Sequence, residues 1–78
     1  MNQRIKFLEL VLSDLVSERD TLELDLNFVL NSTTLRILER KEEFNQTLEK
    51  IVQVNNKIKT LSEYITSLTH TLEEKKED

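Results

Sequence analysis

The stretch TLELDLNFVLNSTT, residues 21–34, decides between the folds open to this chain. Its apolar residues Leu22, Leu24, Leu26, Phe28 and Leu30 fall at every second position, the spacing of a half-buried β-strand. Directly after them come Asn31, Ser32, Thr33 and Thr34, residue types that favour caps and turns because their side chains bond nearby backbone groups. Three readings compete: a strand, a helix that runs on, and a helix that bends back.

The composition argues first. The chain has 78 residues and contains no glycine, proline or cysteine. An average sequence of this length would hold about nine glycines and prolines, and those residues let a chain turn sharply or stop a helix. A chain this short buries little apolar surface alone and usually needs a staple, a metal or a partner. Without cysteine there is no disulfide and no thiolate zinc site. One third of the residues are charged and the formal net charge is -4, which disfavours nucleic acid, whose phosphates call for an excess of Lys and Arg. No apolar run approaches the length of a membrane span, and no signal-peptide core is visible. The expected location is intracellular, in cytoplasm or nucleus.

The C-terminal half gives the clearest pattern. With Ile37 as heptad position a, the a residues are Ile37, Phe44, Ile51, Ile58, Ile65 and Leu72, and the later d residues are Val54, Leu61 and Leu68. A filled a/d seam with a 3.5-residue repeat is the signature of a coiled-coil helix. Towards the N-terminus this seam weakens, because d positions Thr33, Arg40 and Thr47 are polar. Leu48, at e, partly replaces Thr47, and the polar groups would need a partner that satisfies them.

The N-terminal half carries its own seam, Ile5, Leu8, Leu12, Leu15, Arg19, Leu22, Leu26 and Val29. Within it the alternation of residues 21–31 resolves into two superposed helical stripes: Leu22, Leu26 and Val29 on the seam, Leu24 and Phe28 with Leu10 on another face. A lone strand would lack any pairing partner here, so helix is the expectation. Residues 1–30 then form a helix whose apolar face is too wide for a two-stranded seam, and residues 35–76 form the heptad helix, the whole being one all-α coiled-coil segment.

The two seams are out of phase. On one continuous helix that mismatch is a stutter near residues 26–33, which locally unwinds the supercoil. The alternative is a helical hairpin turning at 31–34 and assembling into a four-helix bundle. Bending there would set Leu30 against Leu35, Leu22 near Phe44, Leu15 near Ile51, Leu8 near Ile58 and Ile5 near Leu61. The absence of a glycine past the first helix and of a Glu or Gln completing a capping box after Ser32 or Thr33 favours the rod. At ~1.5 Å per residue the rod would be about 115 Å long and the hairpin about 65 Å.

The function expected of such a chain is association. No nucleophile–base pair, phosphate-binding loop, paired-carboxylate cleft or metal cluster is visible, so neither enzyme activity, metal nor cofactor is expected. His70 and Glu74 read as an exposed helical pair, since zinc takes three or four ligands. Asn31-Ser32-Thr33 and Asn45-Gln46-Thr47 fit the N-glycosylation pattern, which carries weight only in an exported protein. A membrane-surface role needs a cationic polar face, whereas residues 1–30 hold more acidic than basic groups. In a parallel homodimer the flanking pairs Arg36–Lys41, Glu43–Leu48, Lys50–Asn55 and Lys57–Ser62 would include no ion pair, which points to an antiparallel, higher-order or heteromeric assembly. The chain is expected to be an obligate oligomer that scaffolds or tethers protein helices, its own or another chain's, through the two seams. The alternative role is a small helical adaptor that holds a partner helix in a groove.

Overall fold

A computed structural model describes residues 3–77, with side-chain surroundings described for residues 3–71. Two helices make up the fold, α1 (Gln3–Leu30) and α2 (Ile37–Glu77), and no strand occurs among the described residues. The strand-like spacing of residues 22–30 is therefore helical throughout.

Residues 31–36 reverse the chain, so that α1 and α2 pack side by side in a hairpin measuring 63 × 15 × 13 Å. The structure takes the hairpin arrangement and not the continuous rod. Its length is that of α2 alone, 41 residues at about 1.5 Å each. In a hairpin each helix keeps its own heptad phase, so the frame mismatch between the two halves needs no stutter.

The chain turns without any residue of positive φ among the described residues. Local bonds from the polar cluster replace the usual left-handed cap. The Asn31 backbone N–H and its Nδ2 both donate to the Asn27 carbonyl at 3.0 Å. The Ser32 N–H donates to the Val29 carbonyl at 3.2 Å, and the Ser32 and Thr34 hydroxyls share a bond of 3.3 Å. Helix α2 starts with the Arg40 N–H donating to the Arg36 carbonyl at 2.8 Å. Glu39 adds an acidic group to its first turn, where the positive end of the helix dipole favours one.

Arg40 then reaches back across the bend. Its Nε donates to the Val29 carbonyl at 3.1 Å, and its terminal Nη2 donates to the Leu30 carbonyl. The last carbonyls of a helix have no partner within it and carry the negative end of its dipole. Helix α1 has no basic residue in its own last turn, so the cation comes from α2. Thus the polar d residue that weakened the sequence seam does the work that a C-terminal glycine usually does.

The line of contact between the helices follows the two seams. On α1 the residues Ile5, Leu8, Leu12, Leu15, Arg19, Leu22 and Leu26 are half-buried and Val29 is buried. On α2 the half-buried residues of the seam are Arg40, Phe44, Thr47, Ile58, Leu61, Ile65 and Leu68, around buried Ile51 and Val54, with Ser62 half-buried beside them.

The pairing along this seam lies about one heptad from the expected one. Leu8 shares a groove with Tyr64 and Leu68 instead of Ile58, and Val11 and Leu15 share one with Lys57, Thr60 and Leu61 instead of Ile51. The reason is at the bend. The connection spans residues 31–36, longer than the expected 31–34, and the first turn of α2 stands beyond the end of α1, so that Arg40 is the residue level with Val29 and Leu30. Every later pair is displaced accordingly.

Candidate protein-interaction surface

The hairpin buries few of its large side chains. Among the described residues only Val29, Ile51 and Val54 count as buried, and Phe7, Leu10, Leu24, Phe28, Leu30, Ile37, Leu38, Leu48, Val52 and Tyr64 are exposed. A monomeric soluble protein rarely leaves contiguous apolar surface of this kind in water. The positions of these residues follow from helix geometry. Two antiparallel helices that meet along their a and d residues turn their e and b positions to one side and their g and c positions to the other.

The e/b side is the more apolar near the bend. There Leu30, Ile37, Arg40, Lys41, Phe44 and Asn45 line an open groove, and Leu48 and Val52 continue it along α2. Ile37, expected in the seam, is 71% exposed, because it opens the turn of α2 that has no α1 beside it. Leu48, expected to replace Thr47 in the seam, is 41% exposed. Thr47 itself keeps the half-buried d position, since one residue of rotation carries Leu48 to the flank. Leu72 lies outside the residues whose side chains are described.

The g/c side has most of its apolar residues at the other end, with Phe28 alone near the bend. Arg4, Phe7, Leu8, Tyr64 and Leu68 line one groove, and Val11, Leu15, Thr60, Leu61 and Tyr64 line the next. A third, shallow depression on the outside of α1 is formed by Leu24, Asn27, Phe28 and the start of the connection. The wide apolar face expected of α1 is thus divided between the internal seam and surfaces that α2 leaves uncovered.

Arg19 is the one charged residue of the α1 seam. Its side chain is 33% exposed and lies 3.5 Å from a carboxylate oxygen of Glu23 and 3.6 Å from one of Asp20. Its Nε is out of solvent and makes no hydrogen bond. The aliphatic stem therefore fills the seam while the head leans towards the acids of the e/b edge.

The remaining candidate residues are dispersed. Asn31 and Thr33 are exposed in the connection, Asn45 is exposed and Thr47 half-buried on α2, and His70 is exposed; the Glu74 side chain lies outside those described. Among the described residues no group of three or more His, Cys, Asp or Glu side chains could hold a metal ion. No helix of the described residues is long and apolar enough to cross a membrane. The chemistry offered by this surface is burial of apolar area in open grooves bordered by charge.

Two contributors escape the sequence pattern. Arg40 reads as a flaw in the seam until the bend is known. Phe7 and Tyr64 lie at c and g positions and meet only once the antiparallel register is fixed. No protein-family model, curated protein or solved structure matches this chain.

Proposed function

We propose that the hairpin is a non-catalytic assembly module, one that joins protein chains by completing a helical bundle. The observation that carries this reading is the imbalance, among the described residues, between three buried side chains and ten exposed large apolar ones. A single core in a chain of this size rarely supplies more than about 3–5 kcal/mol. Two helices give each other one contact line, so the outward halves of both apolar faces gain nothing until further helices cover them. Burying a large aliphatic or aromatic side chain contributes about 1.5–3 kcal/mol, which makes association the step that stabilises the fold. The adaptor reading is favoured by one feature, the groove at the bend lined by Leu30, Ile37 and Phe44, whose open shape suits an amphipathic helix.

The test is light scattering with thermal unfolding over a wide concentration range. The expected result is a particle heavier than one chain, with a midpoint that rises with concentration. A chain that stays monomeric at hundreds of micromolar and melts in a sharp, concentration-independent transition would overturn the proposal.

A further inference from the structure

We propose that the occupant of the e/b side is a second copy of this chain, docked with both bends at the same end and with α1 of each copy lying against α2 of the other. The proposal rests on the assembly reading above and deepens it by naming partner, face and orientation.

Charge is the first argument. From residue 37 to residue 71 the e and b positions of α2 are Leu38, Lys41, Asn45, Leu48, Val52, Asn55, Lys59, Ser62, Thr66 and Thr69, so its edge is cationic or neutral throughout. The e and b positions of α1 include Glu9, Asp20 and Glu23, with Lys6 as the one base. Arg19 already offsets part of the charge of Asp20 and Glu23, which leaves the edge acidic. Like placed on like would set acid against acid and base against base. Each α1 edge therefore complements the α2 edge of a copy, and such pairs govern orientation more than affinity.

The apolar distribution gives the same answer independently. On this side the exposed apolar residues Leu30, Ile37, Leu48 and Val52 cluster towards the bend, while the far end offers Glu9, Lys59, Ser62 and Thr66. Matching apolar with apolar brings the two bends together. A twofold axis along the hairpin that does so also places α1 across from α2 of the copy. In that arrangement Lys59 stands about one helical turn from Glu9 of the copy. Lys41 stands by the carbonyl end of the copy's α1, where the helix dipole favours a cation.

Size is consistent with a stable pair. A side of the hairpin measures 63 Å by 15 Å, a footprint of roughly 900 Å², against about 800 Å² per partner in a standard interface. The g/c side meets these conditions less well. Its apolar residues are split between the open end, with Phe7, Val11 and Tyr64, and Phe28 alone beside the bend, and its α2 edge mixes Glu39 and Glu43 with Lys50 and Lys57.

The test uses the whole chain, which has no native cysteine. A spin label on Thr33→Cys, at the exposed bend, reports the distance between bends in the assembled particle, and light scattering gives its mass. The expected result is a dimer with labels within about 30 Å, a few interhelical spacings. A dimer with labels about 60 Å apart, the length of the hairpin, or a larger oligomer overturns the inference and leaves the assembly reading standing. A poorly ordered monomer does the same, since a different chain would then supply the missing helices. A sharply folded monomer overturns both. The double variant Leu48→Glu/Val52→Glu is expected to halve the particle mass, and Phe7→Ser/Tyr64→Ser to leave it unchanged. Should the first double variant fail to fold, the label distance in the otherwise unaltered chain still decides the orientation, and loss of the dimer in Phe7→Ser/Tyr64→Ser would overturn the choice of face.

Discussion

The Nε of Arg40, in the first turn of α2, donates to the carbonyl of Val29, in the last turn of α1, at 3.1 Å. Together with the bond from the same guanidinium to the Leu30 carbonyl it fixes where the two helices stand relative to each other. Arg40→Met keeps most of the stem and removes the donors. Hydrogen bonds to charged groups contribute about 1.5–3 kcal/mol, and this site is half-buried, so a loss of about 1–2 kcal/mol is expected in urea unfolding. Arg40→Lys should recover less than half of it, because a single ammonium does not reproduce the fork that reaches two carbonyls. If Arg40→Met unfolds at the unaltered midpoint, the guanidinium is an ornament of the bend and not its clamp.

The bend also makes a prediction about glycine. Helices commonly end on a residue in the left-handed region, where glycine is favoured. Here no described residue has positive φ, and Asn31 caps through its side chain, Nδ2 to the Asn27 carbonyl. Asn31→Gly therefore removes a bond and adds unfolded-state entropy without relieving any strain. It should lower stability by up to about 1 kcal/mol, where the general rule would expect a gain. A rise in the melting temperature of Asn31→Gly would show that the chain prefers a left-handed cap.

These residues also mark how far the sequence could be read. The helices and the seam were legible because Ile51, Val54, Ile58, Leu61, Ile65 and Leu68 repeat with one period, and burial on one face follows from the period alone. The hairpin was legible only as an alternative. Its two sequence signals, the cluster Asn31–Thr34 and the phase mismatch between the halves, were outweighed by the missing glycine, because a cap contributed from another helix leaves no local trace. Register was the least legible feature. Any two heptad stripes match at several offsets seven residues apart, and the length of the connection and the Arg40 contact choose among them. The flanks of the hairpin, with Leu48 and Val52 on one side and Phe7 and Tyr64 on the other, could be assigned only after that choice.

Burial ranks the seam residues. Ile51 and Val54 lie at the centre of the α2 face and are buried, whereas Ile37 is in the same heptad series and exposed. Truncating a buried Ile costs about 2–5 kcal/mol in a full core. A two-helix contact surrounds it less completely, so Ile51→Ala should cost about 2 kcal/mol. Ile37→Ala should change intrachain stability by less than about 0.5 kcal/mol. The comparison is made by denaturant unfolding in the Leu48→Glu/Val52→Glu background, where the copies are expected to stand apart and Ile37 covers no partner, and equal losses for the two variants there would contradict the seam described here.

Arg19 supplies the last prediction. It occupies an a position between Leu15 and Leu22, with its Nε removed from solvent and unbonded. A buried donor without a hydrogen bond costs up to about 1–3 kcal/mol; the ion pairs of this Nε with Glu23 at 3.5 Å and of Nη2 with Asp20 at 3.6 Å offset only part of that, because both acids are exposed. Arg19→Leu should therefore raise the stability of the hairpin by about 1 kcal/mol. The same change makes the seam uniform and frees Asp20 and Glu23 to repel, so the gain should be largest at high salt, where that repulsion is screened. Unfolding of Arg19→Leu at two ionic strengths checks both parts. A variant less stable than the parent at either salt would mean that the guanidinium belongs to a bonded network across the seam.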